Sequence, residues 1–383
     1  MGSLQERIAG HLSALEADGL RRRLVPTDPA PHGTLRRGDA TLLDFAGNDY
    51  LGLSAHPALV ERAREWTSRL GTGSGASRLV SGTRTAHLDL EARIAAFKGT
   101  EAALLFASGW QANATILPAL LRAAPGAMVF TDRLVHASMH AGCAAAGVRQ
   151  ARYRHNDLAD LRARLSGKGA DAPARIIMTE SVFSMDGDLA DIAALRAIAD
   201  EHDAFLIVDE AHATGVLGPR GAGLAAGADV VMGTFSKAMG SFGAYVAASR
   251  DTCALLSNAG SGFVYSTAPP PPVLGAIDAA LDLVPGMDAE RAHIAALGEQ
   301  LRAGLAKLGL DTRGSASPVV PAVIGEVEAT MRIGEALAGR GFLAGTIRPP
   351  TVPKGTSRLR MTLRASHRSE DIQRLLEATS EAL

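Results

Sequence analysis

Between residues 174 and 237, hydrophobic and polar positions repeat in the order strand, turn, helix, and each apolar run stops at polar residues. ARIIMTES predicts a strand ending near Glu180, and LADIAALRAIADEH places Leu189, Ile192, Leu195 and Ile198 on one helical stripe. FLIVDEAH predicts a second strand ending at Asp209, and DVVMGTFSK a third that stops just before Lys237. Continuous apolar strands alternating with helices predict an α/β protein with a buried, mostly parallel sheet, whose ligands gather at the carboxyl ends of the strands. Asp209, His212 and Lys237 all fall at or just past such ends.

The flanking patterns differ. Leu4, Ile8, Leu12 and Leu15 predict a charged amphipathic helix at the start. TAPPPPV interrupts the chain at Thr267 to Val273, and a second, smaller region follows from about Pro285. There SRLRMTLR alternates Leu359, Met361 and Leu363 with Arg358, Arg360 and Arg364, which predicts a strand with one polar face. Ser369 is expected to cap a last helix that carries Glu370 and Asp371 in its first turn. The Pro and Gly cluster GTIRPPTVPKG reads as a rigid active-site loop. These patterns predict an N-terminal helix and arm (1–45), a large domain (46–284) and a small α+β C-terminal domain (285–383).

Composition narrows the chemistry. Of 383 residues, 47% are apolar and 4% aromatic, and 39 Lys plus Arg nearly balance 40 Asp plus Glu, so no net field recruits nucleic acid or an anionic membrane. Small-molecule chemistry becomes the expectation. Cys143 and Cys253 are far apart and outside any C-x-x-C arrangement, which removes zinc-ribbon and disulfide-framework readings. The charged N-terminal helix is unlike a secretory signal and no stretch approaches a membrane span, so the expected location is the cytoplasm.

Within GTFSKAMGSFGAYVA, Lys237 is the only charged group, set among small, aliphatic and aromatic residues. Such an amine suits Schiff-base chemistry. VDEAH raises a rival, because D-E-A-H also marks certain helicases, but that reading needs an upstream G-x-x-x-x-G-K-[ST] phosphate loop and the sequence has none. The remaining candidates match the needs of pyridoxal phosphate: Lys237 for its aldehyde, Asp209 for its ring nitrogen, and an anion site for its phosphate. In FASGWQANATILPALL, Ser108 is the expected N-cap, with the amides of Gly109 and Trp110 opening a helix toward the phosphate. Thr234 and Ser236 add hydroxyls. His212 is placed to reach the cofactor's ring oxygen, and His136 to lie on its ring. A His136 and His140 pair at i, i+4 also has metal-ligand spacing, but lacks the glutamate of H-E-x-x-H, and no metal is expected.

NDYLGL, GSGASRLVSG, SGWQAN, DRLVHAS, TESVFSMDGD, VDEAHATGVLG, TFSKAMG, VYSTAPPP and IRPPTVPKGTSRLRMTL together resemble, in order and nearly from end to end, the motifs of the α-oxoamine synthases. The resemblance implies a fold type I pyridoxal-phosphate enzyme that condenses an amino acid with an acyl thioester and releases carbon dioxide. It implies that Lys237 bonds the cofactor, Asp209 pairs with its ring nitrogen and His136 stacks on the ring, with Ser184 and His212 near the ring oxygen. Gly109, Trp110 and Thr234 would hold the phosphate, and Ser266 with Thr267 the phosphate of a neighbouring subunit's cofactor, hence a homodimer with shared sites. Asn48 would bind substrate, Arg360 the carboxylate of the amino acid, and Arg21, Thr351 and Arg348 the acyl substrate. DGLRRR and IRPPTVP further imply L-alanine and a pimeloyl thioester, as pimeloyl-CoA or pimeloyl-acyl-carrier protein, with glycine and acetyl-CoA as the alternative pair. Trp110 stands where Phe or Tyr is usual, and Ser236 and Ala213 where glycine is often found.

Overall fold

A computed structural model describes residues 3–383. The first two residues of the expected N-terminal arm lie outside the described residues. The chain opens with three short strands, β1 (Asp28–Ala30), β2 (Thr34–Arg37) and β3 (Ala40–Phe45). Seven follow: β4 (Ala102–Phe106), β5 (Met128–Asp132), β6 (Gln150–Tyr153), β7 (Arg175–Glu180), β8 (Ala204–Asp209), β9 (Val230–Thr234) and β10 (Ala244–Ala248). The last three are β11 (Val319–Gly325), β12 (Phe342–Ile347) and β13 (Ser357–Thr362). Contacts between residues group the chain into two compact units.

One unit comprises Asn48–Ser184 and Asp188–Ala292. Its sheet has seven strands in the order β4-β10-β9-β8-β7-β5-β6. The pairs β6/β5, β5/β7, β7/β8 and β8/β9 are parallel, and β10 runs antiparallel to β9 and β4. Val230, Val246, Ile207 and Met178 are almost wholly buried in a core with Ile116, Leu117 and Met139 from covering helices. β7, β8 and β9 are buried along nearly their whole length, which is why they read as unbroken apolar runs. The helix after β7 spans Ile192–Glu201, capped by the Asp191 side chain, which accepts from the Ala194 amide. Leu189, expected on its stripe, instead lies before the helix and bridges back to Val182, because the Asp191 cap sets a later start.

The same unit contains a part-buried ionic cluster. His155 Nδ1 lies 3.0 Å from Asp132 and its Nε2 2.8 Å from Asp188, with the ring edge against Phe183. Burial pulls the imidazole pKa down, but hydrogen bonds and charge from the two carboxylates outweigh it and hold it at about 9. A pKa raised above the unfolded value near 6.5 contributes stability in full below that value and loses it as pH rises through about 9. The unfolding midpoint should therefore fall between about pH 7 and about pH 10 by an equivalent of about 1–2 kcal/mol, the partly exposed ring being screened. In His155→Gln this component of the slope should vanish, as chemical denaturation at the two pH values will reveal.

The other unit comprises the N-terminal residues through Gly47, Met185–Gly187 and His293–Leu383. Its six-stranded sheet has the order β1-β2-β3-β12-β13-β11. The parallel register Phe342↔Leu43 draws residues 28–45, expected to form an arm, into a sheet with the C-terminal strands. The N-terminal helix Leu4–Ala17 has no buried residue. β13 is buried throughout, so the polar face expected for SRLRMTLR is covered instead: Arg358 forms an ion pair with Asp186. Ser369 is the first residue of the last helix, and the preceding Arg368 caps it, its amide donating to Asp371 at 2.9 Å. Among the described residues no helix is long and apolar enough to cross a membrane.

Candidate active site

At the carboxyl ends of β7, β8 and β9 the first unit holds a cavity of about 260 Å³. Of the residues singled out in the sequence, Gly109, Trp110, His136, Ser184, Asp209, His212, Thr234 and Lys237 all line it, joined by Ser108 and Ser236. Parallel strands end on one edge, so side chains far apart in sequence converge there.

Asp209, 4% exposed, is the last residue of β8. Its Oδ2 accepts from Asn113 Nδ2 at 2.7 Å and its Oδ1 from the Ala211 amide at 2.8 Å. Both donors are neutral, so neither is a counter-charge to the carboxylate. Lys237 Nζ lies 2.7 Å from His212 Nε2, and His212 Nδ1 lies 2.6 Å from the buried Tyr50 hydroxyl. That hydroxyl is also 3.3 Å from Asn48 Oδ1. Moving one proton along Tyr50, His212 and Lys237 switches the amine between donor and acceptor.

His136 caps the helix Ala137–Ala145. Its Nδ1 accepts from the Ser138 amide at 3.3 Å and lies 2.7 Å from Ser138 Oγ, which in turn accepts from Asn113 Nδ2 at 2.9 Å. Burial lowers its pKa, Asp209 opposes this, and Lys237 and His140 add to it. A neutral ring whose Nδ1 accepts carries its proton on Nε2. His140, which shared metal-ligand spacing with it, is engaged with Gln150 Oε1 at 2.7 Å.

At the other end of the cavity begins the 15-residue helix Gly109–Ala123. Ser108 caps it as expected, accepting from the Gln111 amide at 3.1 Å. Thr234 Oγ1 and Ser236 Oγ lie 2.8 Å apart beside this helix start. Amides and hydroxyls at a helix N-terminus make an anion site.

Tyr50, Asn113, Ser138 and Glu180 were not singled out from the sequence, although each occurs in a motif considered there. Asn113 is the most legible: it lies one turn after Gly109, on the same face, and asparagine is a poor residue for a helix interior. Glu180 pairs in register with Asp209. Burial, then Asp209, push its pKa well above the usual carboxylate range, with Lys237 opposing. Glu180 Oε1 and Asn113 Oδ1 are buried without a partner among the described residues.

Other sequence candidates lie elsewhere. Ser266 and Thr267 line a separate, much smaller recess, where Ser266 Oγ accepts from Gln111 Nε2 at 2.6 Å. In the second unit, Arg348 donates to the Arg21 carbonyl at 3.0 Å, and Arg22, not Arg21, donates to Thr351 at 2.9 Å. Arg21 pairs with Glu16 at 3.1 Å. Burial, and then the charge of Arg22, lower the Arg348 pKa. Arg360 lies buried on β13, opposite Pro321 and Gly345.

Residues 40–378 match the family model described as aminotransferase class I and II. An 8-amino-7-oxononanoate synthase of Gluconacetobacter diazotrophicus is 56% identical over 379 residues, covering 97% of this chain and 95% of that one. The chain belongs to the 8-amino-7-oxononanoate synthase family. Membership accounts for the likeness to solved structures. A high-resolution structure of SPT with its PLP internal aldimine superposes with a TM-score of 0.92 at 27% identity, covering 100% of this chain and 98% of that one. The 8-amino-7-oxononanoate synthase of Francisella tularensis does so with a TM-score of 0.77 at 26% identity, covering 89% and 97%.

Synthases of this family are fold type I enzymes that use pyridoxal phosphate. The cavity fits that cofactor on its own evidence: its lining includes a helix start and hydroxyls suited to an anion, a carboxyl group with two neutral donors, a lysine amine, and orphaned polar atoms that a ligand would satisfy.

Proposed function

We propose that this protein catalyses the decarboxylative condensation of L-alanine with a pimeloyl thioester, giving 8-amino-7-oxononanoate, carbon dioxide and the free thiol, in biotin biosynthesis. The observation that carries the reading is the convergence of Lys237, His212, Asp209 and His136 on one cavity, in a chain whose relatives at 45–56% identity are named for that product. Bound pyridoxal phosphate supplies an electron sink for the bond changes at the amino acid's α-carbon.

The roles of the protein's residues follow from their chemistry. Lys237 is the amine that would hold the cofactor's aldehyde, and as a free amine it would take the α-proton of alanine. The proton can pass along the 2.7 Å contact to His212, backed by Tyr50. Asp209, held by Asn113, would pair with the ring nitrogen and favour its protonated form through a charge-assisted hydrogen bond. His136, on the cavity wall, would stack on the ring, and its Nε2–H would be the donor available to the thioester carbonyl. Gly109, Trp110 and Thr234 would hold the phosphate, and Ser184 the ring oxygen. Asn48 would bind substrate and Arg360 the carboxylate of the amino acid. Arg21, Arg348 and Thr351 serve the acyl chain, and the Arg22 contact to Thr351 adds Arg22 to that set.

We also infer a homodimer located in the cytoplasm, with Ser266 and Thr267 serving the partner's cofactor phosphate. Their recess is separate from the cavity of their own chain, which supports a role outside it. The donor is pimeloyl-CoA or pimeloyl-acyl-carrier protein. Alanine over glycine rests on room for one methyl, worth about 1–3 kcal/mol. A matrix of glycine, alanine and serine against acetyl, succinyl, pimeloyl and palmitoyl thioesters should peak at alanine with pimeloyl. A peak at glycine with acetyl, or serine with palmitoyl, would retain the mechanism and overturn the product.

A further inference from the structure

The glutamate of VDEAH has no part in the chemistry above, yet it is wholly buried. It directly follows Asp209 and sits two residues before His212. Its Oε2 lies 2.5 Å from Lys98 Nζ, at the end of the helix Thr85–Lys98. Its Oε1 accepts from the Leu224 amide at 2.5 Å and the Ala225 amide at 2.8 Å. One carboxylate thus ties the start of the segment 210–225 to its end.

Lys98 closes the remaining side. It donates to the Ala222 carbonyl and lies 5.8 Å from the centroid of the Tyr245 ring, while the Tyr245 hydroxyl is 2.7 Å from Thr214 Oγ1, in the middle of the segment. Burial works against the Lys98 charge, but Tyr245 and Glu210 outweigh it and the ammonium is retained. The surroundings are shaped for this set. A Cβ at Gly223, where φ is +93°, would overlap the Glu210 carboxylate, and one at Gly233 would overlap the Tyr245 hydroxyl.

A buried ion pair of this kind contributes little net stability, since the cost of removing both charges from water offsets their attraction, and apolar replacements of equal volume are often neutral. Its directional hydrogen bonds do fix geometry. The segment it fixes presents His212 to Lys237 and joins directly to Asp209. We propose that Lys98 and Glu210 are positioning residues that aim Asp209 and His212 at the bound cofactor. This rests on the pyridoxal-phosphate reading of the cavity.

The test compares wild type with the near-isosteric, uncharged double variant Lys98→Met/Glu210→Gln, and with Tyr245→Phe. Wild type is examined first: failure to take up pyridoxal phosphate, seen as no visible absorption band, overturns the cofactor reading and this proposal with it. With wild type loaded, the double variant should melt close to wild type and bind the cofactor. In its cofactor-free form, amides of residues 210–225 should exchange with deuterium faster than in wild type. In its loaded form, the pH midpoint of the cofactor's absorption should shift, and kcat should fall on the order of 10- to 100-fold while KM for the amino acid stays within about threefold. A folded double variant with wild-type exchange, midpoint and kcat overturns the proposal. If that variant does not fold, Tyr245→Phe decides: it deletes one hydroxyl, and an unchanged midpoint together with unchanged exchange around Thr214 is the overturning result.

Discussion

Lys237→Ala is expected to abolish turnover, by at least roughly 10⁴-fold, while leaving the protein folded. Two losses combine, the amine that captures the cofactor and the nearest base for the α-proton of alanine. No neighbour can replace it: His212 Nε2 is the group 2.7 Å from the amine, but an imidazole cannot hold the cofactor's aldehyde in the same way. Borohydride reduction of the loaded wild-type protein, followed by peptide mass mapping, should place the cofactor on Lys237. The chain has four other lysines, Lys98, Lys168, Lys307 and Lys354, so the result discriminates. Label on any of them, or on none, would sink the assignment.

Asp209→Asn is expected to keep both the fold and cofactor binding but to slow removal of the α-proton by roughly 10²- to 10³-fold, or about 3–4 kcal/mol of barrier. The asparagine has nearly the same shape, and its single side-chain oxygen can still accept from one of the two donors, Asn113 or the Ala211 amide. What disappears is the negative charge that favours a protonated ring nitrogen. Hydrogen–deuterium exchange at the α-carbon of bound alanine isolates this step from thioester chemistry. Exchange at the wild-type rate would remove Asp209 from the mechanism. Asn113→Leu should move exchange in the same direction and by less, because the carboxylate then loses one of its two neutral donors but keeps its charge.

Local patterning made much of this site legible. Apolar runs that stop at Glu180, Asp209 and Thr234 mark strand ends because a charge inside a buried strand is costly unless a partner meets it. The Ser108 cap was equally readable, since its partner is the Gln111 amide three residues away. Both signals depend on neighbours in sequence. Where the competing partner is distant, the local reading gave way. Arg358 and Arg360 alternate with apolar residues as though facing water, yet β13 is buried, and a distant carboxylate, Asp186, meets Arg358. Leu189 has the right spacing for a helix stripe but bridges to Val182 before the helix starts.

Sequence by itself therefore determined the class of fold, the strand ends that carry Asp209 and Lys237, the helix start suited to a phosphate, and, through ordered motifs, the family. Tertiary structure alone decided the connections among these groups: Asn113 against Asp209, Tyr50 behind His212, Glu180 beside Asp209 in register, and Lys98 under Glu210. The physical reason is range. Periodicity and capping arise from contacts within one or two turns or between alternate strand positions, and they are written in adjacent residues. Hydrogen bonds between side chains 96, 112 or 162 residues apart depend on how strands and helices are layered, which no local window contains.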